Sequence, residues 1–266
     1  MSNKNIDHNF FNFKQKNIYV LGGSGLIGKY IVKNLLKSGA RVICLDIVNN
    51  FKNQKNNFHY VKFDISTTLT DNYEVESLFV KFGKPHAFIN CSYPKVLNNV
   101  DGSFLDNPFS NLKDNVLIHL LSYSNISMLV ANFMHKYKIK GKILLFSSLY
   151  GFQGQDLNLY INTKMNENMN YSIIKGGITN LVRQMAGYYG QFGININCIS
   201  PGGVLENSNS KRPQNKKFLK KYCLKTPLGR LANPEEISYS SIFLISNHAD
   251  YITGSNYIID GGISLV

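Results

Sequence analysis

Tyr171-Ser172-Ile173-Ile174-Lys175 sets a phenol and an ammonium four residues apart, inside a stretch, 170–189, that reads as a helix. That spacing puts both groups on one helix face. A free tyrosine ionises near pH 10, so roughly one in a thousand is phenolate at neutrality. A lysine ammonium beside it favours the phenolate and eases proton transfer at neutral pH. The pair alone also describes a surface lysine one turn from a packed tyrosine. Its meaning depends on what the rest of the chain places around it.

The first such element is a glycine turn. Residues 17–21 form a short apolar run rich in β-formers, read as a first strand, and Gly22-Gly23-Ser24-Gly25-Leu26-Ile27-Gly28 follows it directly. From Lys29 to Lys37 apolar residues recur at helical spacing, with Gly39 as a stop. Strand, glycine turn and helix are the context of a dinucleotide fingerprint. Glycines let the backbone approach a pyrophosphate, and the helix N-terminus faces its negative charge. Gly22, Gly25 and Gly28 are the expected contacts. Asp46 ends a second strand, 41–46. An acid there accepts hydrogen bonds from a ribose diol and repels a 2′-phosphate. Ser24 is not basic and no Arg or Lys directly follows Asp46, so NAD is favoured over NADP. A strand-end turn is the plainer role for Asp46.

Further strands are expected at 59–63, 86–90, 142–146, 194–199 and 257–259, and further helices at 74–82, 111–137 and from Pro234 onward. Asn233 is the expected cap of that last helix, with Pro234 at its first position. Asp64, closing the third strand beside Ile65, suits either an adenine amino group or a turn. Alternation of strand and helix predicts an α/β fold of the Rossmann type, a doubly wound, seven-stranded parallel sheet flanked by helices. In such a sheet the C-terminal strand ends line the ligand crevice, and Asn90-Cys91-Ser92-Tyr93-Pro94 leaves one of them. No composition break marks a second domain. Residues 1–15 read as a polar tail, with Phe10, Phe11 and Phe13 available to dock, and 16–266 as one domain.

Composition bounds the rest. With 266 residues, 44% hydrophobic and 17% charged, the chain has globular values and ample core. No apolar run approaches a membrane span of about 20 residues, and the N-terminus lacks the apolar segment of a secretion signal, so a cytoplasmic protein is expected. Cys44, Cys91, Cys198 and Cys223 are scattered, which suits small buried hydrophobes rather than disulfides or zinc; no metal is expected. The net charge of +13 comes mostly from dispersed lysines. It lacks the basic stripe with interleaved aromatics that nucleic-acid binding would need.

Taken together, the glycine turn, Asp64, Asn90, Ser148, Tyr171 with Lys175, Pro201-Gly202, Ile252-Thr253-Gly254 and Asp260-Gly261-Gly262 resemble, in that order, a classical short-chain dehydrogenase/reductase over about residues 15–266. The resemblance implies hydride exchange with a nicotinamide, with Tyr171 as general acid/base. It implies that Lys175 holds the nicotinamide ribose and lowers the tyrosine's pKa, and that Ser148, the second serine of its pair, orients the substrate oxygen. Cofactor contacts are implied at Ser24, Leu26, Ile27, Asp64, Ile65, Asn90, Pro201, Gly202 and Val204, beside Tyr171 and Lys175. Homodimers or homotetramers are common in the family.

The departures are specific. Leu21 stands for the usual Thr, Leu26 for the usual Gly, and Asn90-Cys91-Ser92-Tyr93 for Asn-Asn-Ala-Gly. The interval from Ser148 to Tyr171 is longer than usual by about ten residues, which implies an enlarged loop at the site. The tetrad asparagine's slot on the long helix falls on His119, with Asn115 one turn earlier. His119 reads either as the proton-relay residue near Lys175 or as a core histidine bonded to a backbone carbonyl. After Gly203 a mobile basic substrate loop, about 203–225, is expected, with Lys211, Arg212, Lys216, Lys217, Lys220 and Lys221. It reads as a solvated lid or as an attractor of an anionic small-molecule substrate. Tyr93-Pro94, Tyr150-Gly151 and the long loop are similar to bacterial oxidoreductases linked to flagellin or surface-glycan modification, which points to a sugar or nucleotide-sugar alcohol or ketone. A 3-oxoacyl reductase and a non-catalytic dinucleotide sensor or scaffold are the rival readings.

Overall fold

The computed structural model describes residues 11–51, 56–94, 96, 102–206 and 215–265. Its elements follow in chain order: β1 (Asn17–Leu21), α1 (Gly28–Lys37), β2 (Arg41–Asp46), β3 (Phe58–Lys62), α2 (Tyr73–Phe82) and β4 (Ala87–Asn90). Then come α3 (Phe109–Asn115), a π-helical segment (Val116–Leu121) and α4 (Ser122–Lys136), which form one continuous run. The chain continues with β5 (Lys142–Phe146), α5 (Met169–Tyr189), β6 (Asn195–Pro201), α6 (Lys216–Lys225), α7 (Pro234–Ile245) and β7 (Asn256–Ile259).

The seven strands form one parallel sheet in the order β3-β2-β1-β4-β5-β6-β7. Alternate strand residues serve opposite faces, as the period of two requires. Tyr19, Leu21, Ile43, Leu45, Phe88, Ile143 and Leu145 meet α2, α4 and α5. Ile18, Val20, Val42, Cys44, Ile89 and Leu144 meet α1 and α7. Both faces are covered, which is why the strands read as continuous apolar runs. The order in which the chain adds strands reverses between β1 and β4, which opens a crevice beyond their C-terminal ends.

Asn233 and Glu236 close a capping box on α7, with Pro234 in its first turn, as expected. Phe13 is buried against the second core layer and Phe11 packs on it, so the tail docks from there onward; Phe10 lies outside the described residues. By length and by a mean hydropathy of 1.4, the run Phe109–Lys136 would pass as a membrane span. Its residues Tyr123, Ile126, Val130 and Met134 instead enter the sheet's first core layer.

The basic segment differs from expectation. Lys216–Lys225 is helical, capped by Asn215, whose side chain accepts from the amides of Lys217 and Phe218. Lys211 and Arg212 lie outside the described residues. Lys221 Nζ donates to the carbonyl oxygens of Asn158 (2.8 Å) and Ile161 (2.6 Å), and Lys225 pairs with Asp156. Two of the lysines thus fasten α6 to the enlarged loop, where Leu149, Leu159, Tyr222, Leu231 and Ile263 form a third apolar cluster. Lys216, Lys217 and Lys220 remain exposed.

Candidate active site

The glycine turn is built by close approach. Gly22 has φ +78°, and a Cβ there would lie 2.5 Å from Ser92 Cα. A Cβ on Gly28 would overlap the Gly22 carbonyl oxygen and sit 2.8 Å from Gly23 Cα. Only glycine lets the turn, α1 and the loop after β4 touch. Leu26 and Ile27 continue the turn into α1, with Ile27 packed on the core. Asp46 Oδ2 accepts the Ser24 amide at 2.9 Å, and Oδ1 accepts the Val48 amide at 3.2 Å. The carboxylate therefore sits at the mouth of the turn. The residues after it, Ile47 and Val48, are exposed and apolar.

Asn90 is fully buried at the end of β4. Its Oδ1 accepts from the Ser92 hydroxyl (2.7 Å) and amide (3.2 Å), while its Nδ2 has no partner among the described residues. A buried donor left open at the crevice suits a ligand acceptor. The open amide and the glycine cradle fit a nicotinamide dinucleotide. Tyr123, from α4, donates to the carbonyl oxygens of Asn90 and Ser92, and so braces that wall. Asp64 Oδ1 instead caps its own turn, accepting the amide and hydroxyl of Ser66, beside buried Ile65. Across the crevice, Pro201 ends β6, Gly202 donates to the Ile259 carbonyl, and Val204 bridges to Ala232.

At the other side of the crevice, α5 starts at Asn168, whose side chain accepts the Tyr171 amide at 2.9 Å. Gln155, from the enlarged loop, bonds both the amide and the carbonyl of Asn168 and the hydroxyl of Ser172. Ser147 lies beneath α5, with its hydroxyl donating to the Lys175 carbonyl (2.9 Å) and 2.7 Å from Thr179 Oγ1. Ser148 is the serine whose side chain acts on the Tyr171 phenol, opposing the rise that burial imposes, while its hydroxyl accepts the Tyr150 amide at 3.3 Å. Gly151 lets this turn pass under α5, since a Cβ there would lie 2.7 Å from the Lys175 carbonyl oxygen.

Lys175 is buried, with Nζ donating to the Phe146 carbonyl oxygen at 2.9 Å. Its ammonium stands 5.4, 5.6 and 5.9 Å from the ring centroids of Tyr171, Tyr93 and Tyr123. Aromatic faces attract such a cation, yet burial pushes its pKa down to about 8. The expectation that Lys175 lowers the Tyr171 pKa is not met here. Burial raises the phenol above its ordinary value, and the Ser148 hydrogen bond only partly opposes that. The ammonium is committed to Phe146 and to ring faces rather than to the phenol oxygen.

His119 hangs from the π-helical segment, a register fault that turns this part of the run toward the site. It is 2% exposed, and burial, then the Lys175 ammonium, push its pKa down to about 4. Asn115, one turn earlier, donates to the Asn111 side chain and backbone. The backbone carbonyl expected as one partner of His119 is not among its described contacts. Instead, Tyr93 stacks on it, 4.3 Å between ring centroids. Tyr93 and Tyr150 each stand edge-on to Tyr171, at 5.8 and 6.4 Å. Tyr93, Gln155 and Asn168 carried no assigned role from the sequence. The one available signal was a bulky aromatic at 93, where the resembled pattern has glycine.

A family model described as "Enoyl-(Acyl carrier protein) reductase", of the short-chain alcohol dehydrogenase type, matches residues 24–264. The chain is a short-chain dehydrogenase/reductase. Short-chain dehydrogenases/reductases are oxidoreductases that use a nicotinamide dinucleotide and act on small molecules. A solved short-chain dehydrogenase from Leptospira borgpetersenii with bound NAD+ superposes with a TM-score of 0.84 at 32% identity, covering 99% of this chain and 97% of that one. "Post-translational flagellin modification protein A" of Campylobacter coli is 27% identical over 95% of this chain and 99% of its own length. "L-rhamnose 1-dehydrogenase (NADP(+))" of Thermoplasma acidophilum is 26% identical over 94% and 97%.

Proposed function

We propose that this short-chain dehydrogenase/reductase interconverts a secondary alcohol and a ketone on a sugar or sugar derivative, with NAD preferred to NADP. The observation that supports the reading is the gathering of Ser148, Tyr171 and Lys175: the Lys175 ammonium lies 5.4 Å from the Tyr171 ring centroid, and the turn after Ser148 packs under α5 through Gly151. When bound, the nicotinamide takes up or supplies the hydride. Tyr171 Oη receives or returns the hydroxyl proton, and Ser148 Oγ holds the substrate oxygen against it. Lys175 would hold the nicotinamide ribose, with its ammonium 5.4 Å from the Tyr171 ring centroid. His119 stays neutral at working pH, with its pKa near 4, and so does not act as a titrating acid.

Asp46 supports the cofactor choice, since its carboxylate and two exposed apolar neighbours offer a 2′-phosphate nothing positive. The name of the Thermoplasma relative, an L-rhamnose dehydrogenase, favours a carbohydrate. Lys216, Lys217 and Lys220 supply the charge for an anionic group on it. A homodimer or homotetramer is the expected assembly.

The test is NADH formation with a panel of sugars and nucleotide sugars, set against Tyr171→Phe. The variant should lose about 10²–10⁴-fold in kcat, the range of general acid–base catalysis, while NADH binding by fluorescence persists. Comparable turnover in the variant would exclude this chemistry.

A further inference from the structure

Two places where this chain departs from its family pattern lie against each other. Tyr93 stands where the pattern has glycine, and His119 where it has asparagine. Their rings stack at 4.3 Å with 21° between planes. His119 is 2% exposed and Tyr93 is 53% exposed, so the imidazole backs the phenol ring from the protein side while much of that ring stays open. The ring stands 5.8 Å from that of Tyr171, at 66°. Burial keeps the imidazole uncharged, so it backs the Tyr93 ring as a neutral surface, with the Lys175 ammonium 5.6 Å from that ring. No hydrogen bond of the imidazole is present among the described residues; the stack is its contact.

A pyranose has an apolar C–H face and a rim of hydroxyls. An aromatic face with its negative quadrupole accepts the first, and nearby hydroxyls and amides hold the second. An extended acyl chain needs a slot rather than a platform. We propose that Tyr93, held flat by His119, is the platform on which the ring of a cyclic polyol substrate rests, and that it selects cyclic over acyclic alcohols at Tyr171. This rests on the alcohol–ketone reading above. Tyr93 touches the substrate; His119 acts through Tyr93 as a positioning residue.

The experiment uses the full chain at saturating NAD, with L-rhamnose and D-glucose as cyclic probes and 2,3-butanediol as the acyclic one. Tyr93→Gly and the volume-keeping Tyr93→Leu should each raise KM for the pyranose tenfold or more, with kcat changed less than threefold. Butanediol should be affected several-fold less. Tyr93→Phe and His119→Phe keep an aromatic ring in place and should raise the pyranose KM several-fold less than Tyr93→Leu and His119→Asn, and His119→Phe should keep the wild-type pH profile. His119→Asn should raise the pyranose KM, and Tyr93→Gly/His119→Asn should be no worse than Tyr93→Gly alone, because contacting residues are non-additive. NADH fluorescence and thermal melts establish that each variant is folded.

Equal effects on both substrate classes, or additive effects of the two substitutions, would overturn the platform. So would His119→Phe losing kcat at unchanged KM, which would put the imidazole in the proton path. Wild type turning over none of the probes would instead refute the alcohol–ketone reading beneath it.

Discussion

Burying Lys175 as a cation has a measurable consequence for stability. Its pKa is about 8 in the fold, against an ordinary 10.5. At 1.36 kcal/mol per unit, that difference is about 3 kcal/mol against folding when the lysine is charged in both states. Below pH 8 the penalty is complete. Between 8 and 10.5 the folded lysine gives up its proton before the unfolded one does, so the penalty fades as pH rises. Lys175→Met keeps an unbranched chain and removes the charge. It also takes a donor from the Phe146 carbonyl oxygen, which returns about 1–2 kcal/mol of the gain. The net expectation is a variant more stable by about 1–2 kcal/mol at pH 7. For a chain of this size that is a rise in Tm of about 2–8 °C. By pH 10 the advantage should vanish, and turnover should be lost at every pH. The assay is urea and thermal unfolding of both proteins at pH 7 and pH 10, without added dinucleotide, which would stabilise the fold by binding. A variant less stable than wild type at pH 7, or equally advantaged at both pH values, would refute the assignment of Lys175 as a strained cation.

Other outcomes follow from the crevice. Asp46→Asn keeps an oxygen for the Ser24 amide but loses a charged acceptor for the ribose diol; about 1.5–3 kcal/mol, or roughly 10–100-fold, should go from NAD affinity. NADP affinity should not fall with it, and an unchanged NAD-to-NADP ratio would remove Asp46 from cofactor choice. Gly28→Ala forces a methyl onto the Gly22 carbonyl oxygen, so NADH binding should be abolished; retained fluorescence enhancement would contradict the close-packed turn. Asn168→Ala uncaps the Tyr171 amide at a cost of about 1 kcal/mol, seen as a Tm drop of about 2–4 °C, and an unaltered melt would show that Gln155 alone holds that helix start.

The elements and their order were legible because each carries a local signal. The apolar strands, the glycine turn and Tyr171 with Lys175 depend on spacing within a few residues, and the structure places them together at the strand ends. The basic cluster was misread as a loop throughout because its helical half, Lys216–Lys225, is dominated by lysines, which helices and solvated loops tolerate alike. What those lysines meet depends on an insertion some sixty residues earlier. The Tyr93–His119 stack was hidden for the same reason, since a π-helical turn and a strand end must converge before either ring has a neighbour. The direction of the Tyr171 pKa could not be read from four-residue spacing, because burial in the folded chain decides it.

The strand order has a consequence for how the protein is made. β1 emerges first and gains β2 on one side, but its other flank waits for β4, some sixty-five residues later. Until then the nascent chain presents an apolar ribbon with unanswered amides and carbonyls, a template for mispairing with other chains on the ribosome. Synthesis paused between β3 and β4 should therefore yield aggregates or chaperone-bound chains, whereas a pause after β4 should yield a closed centre.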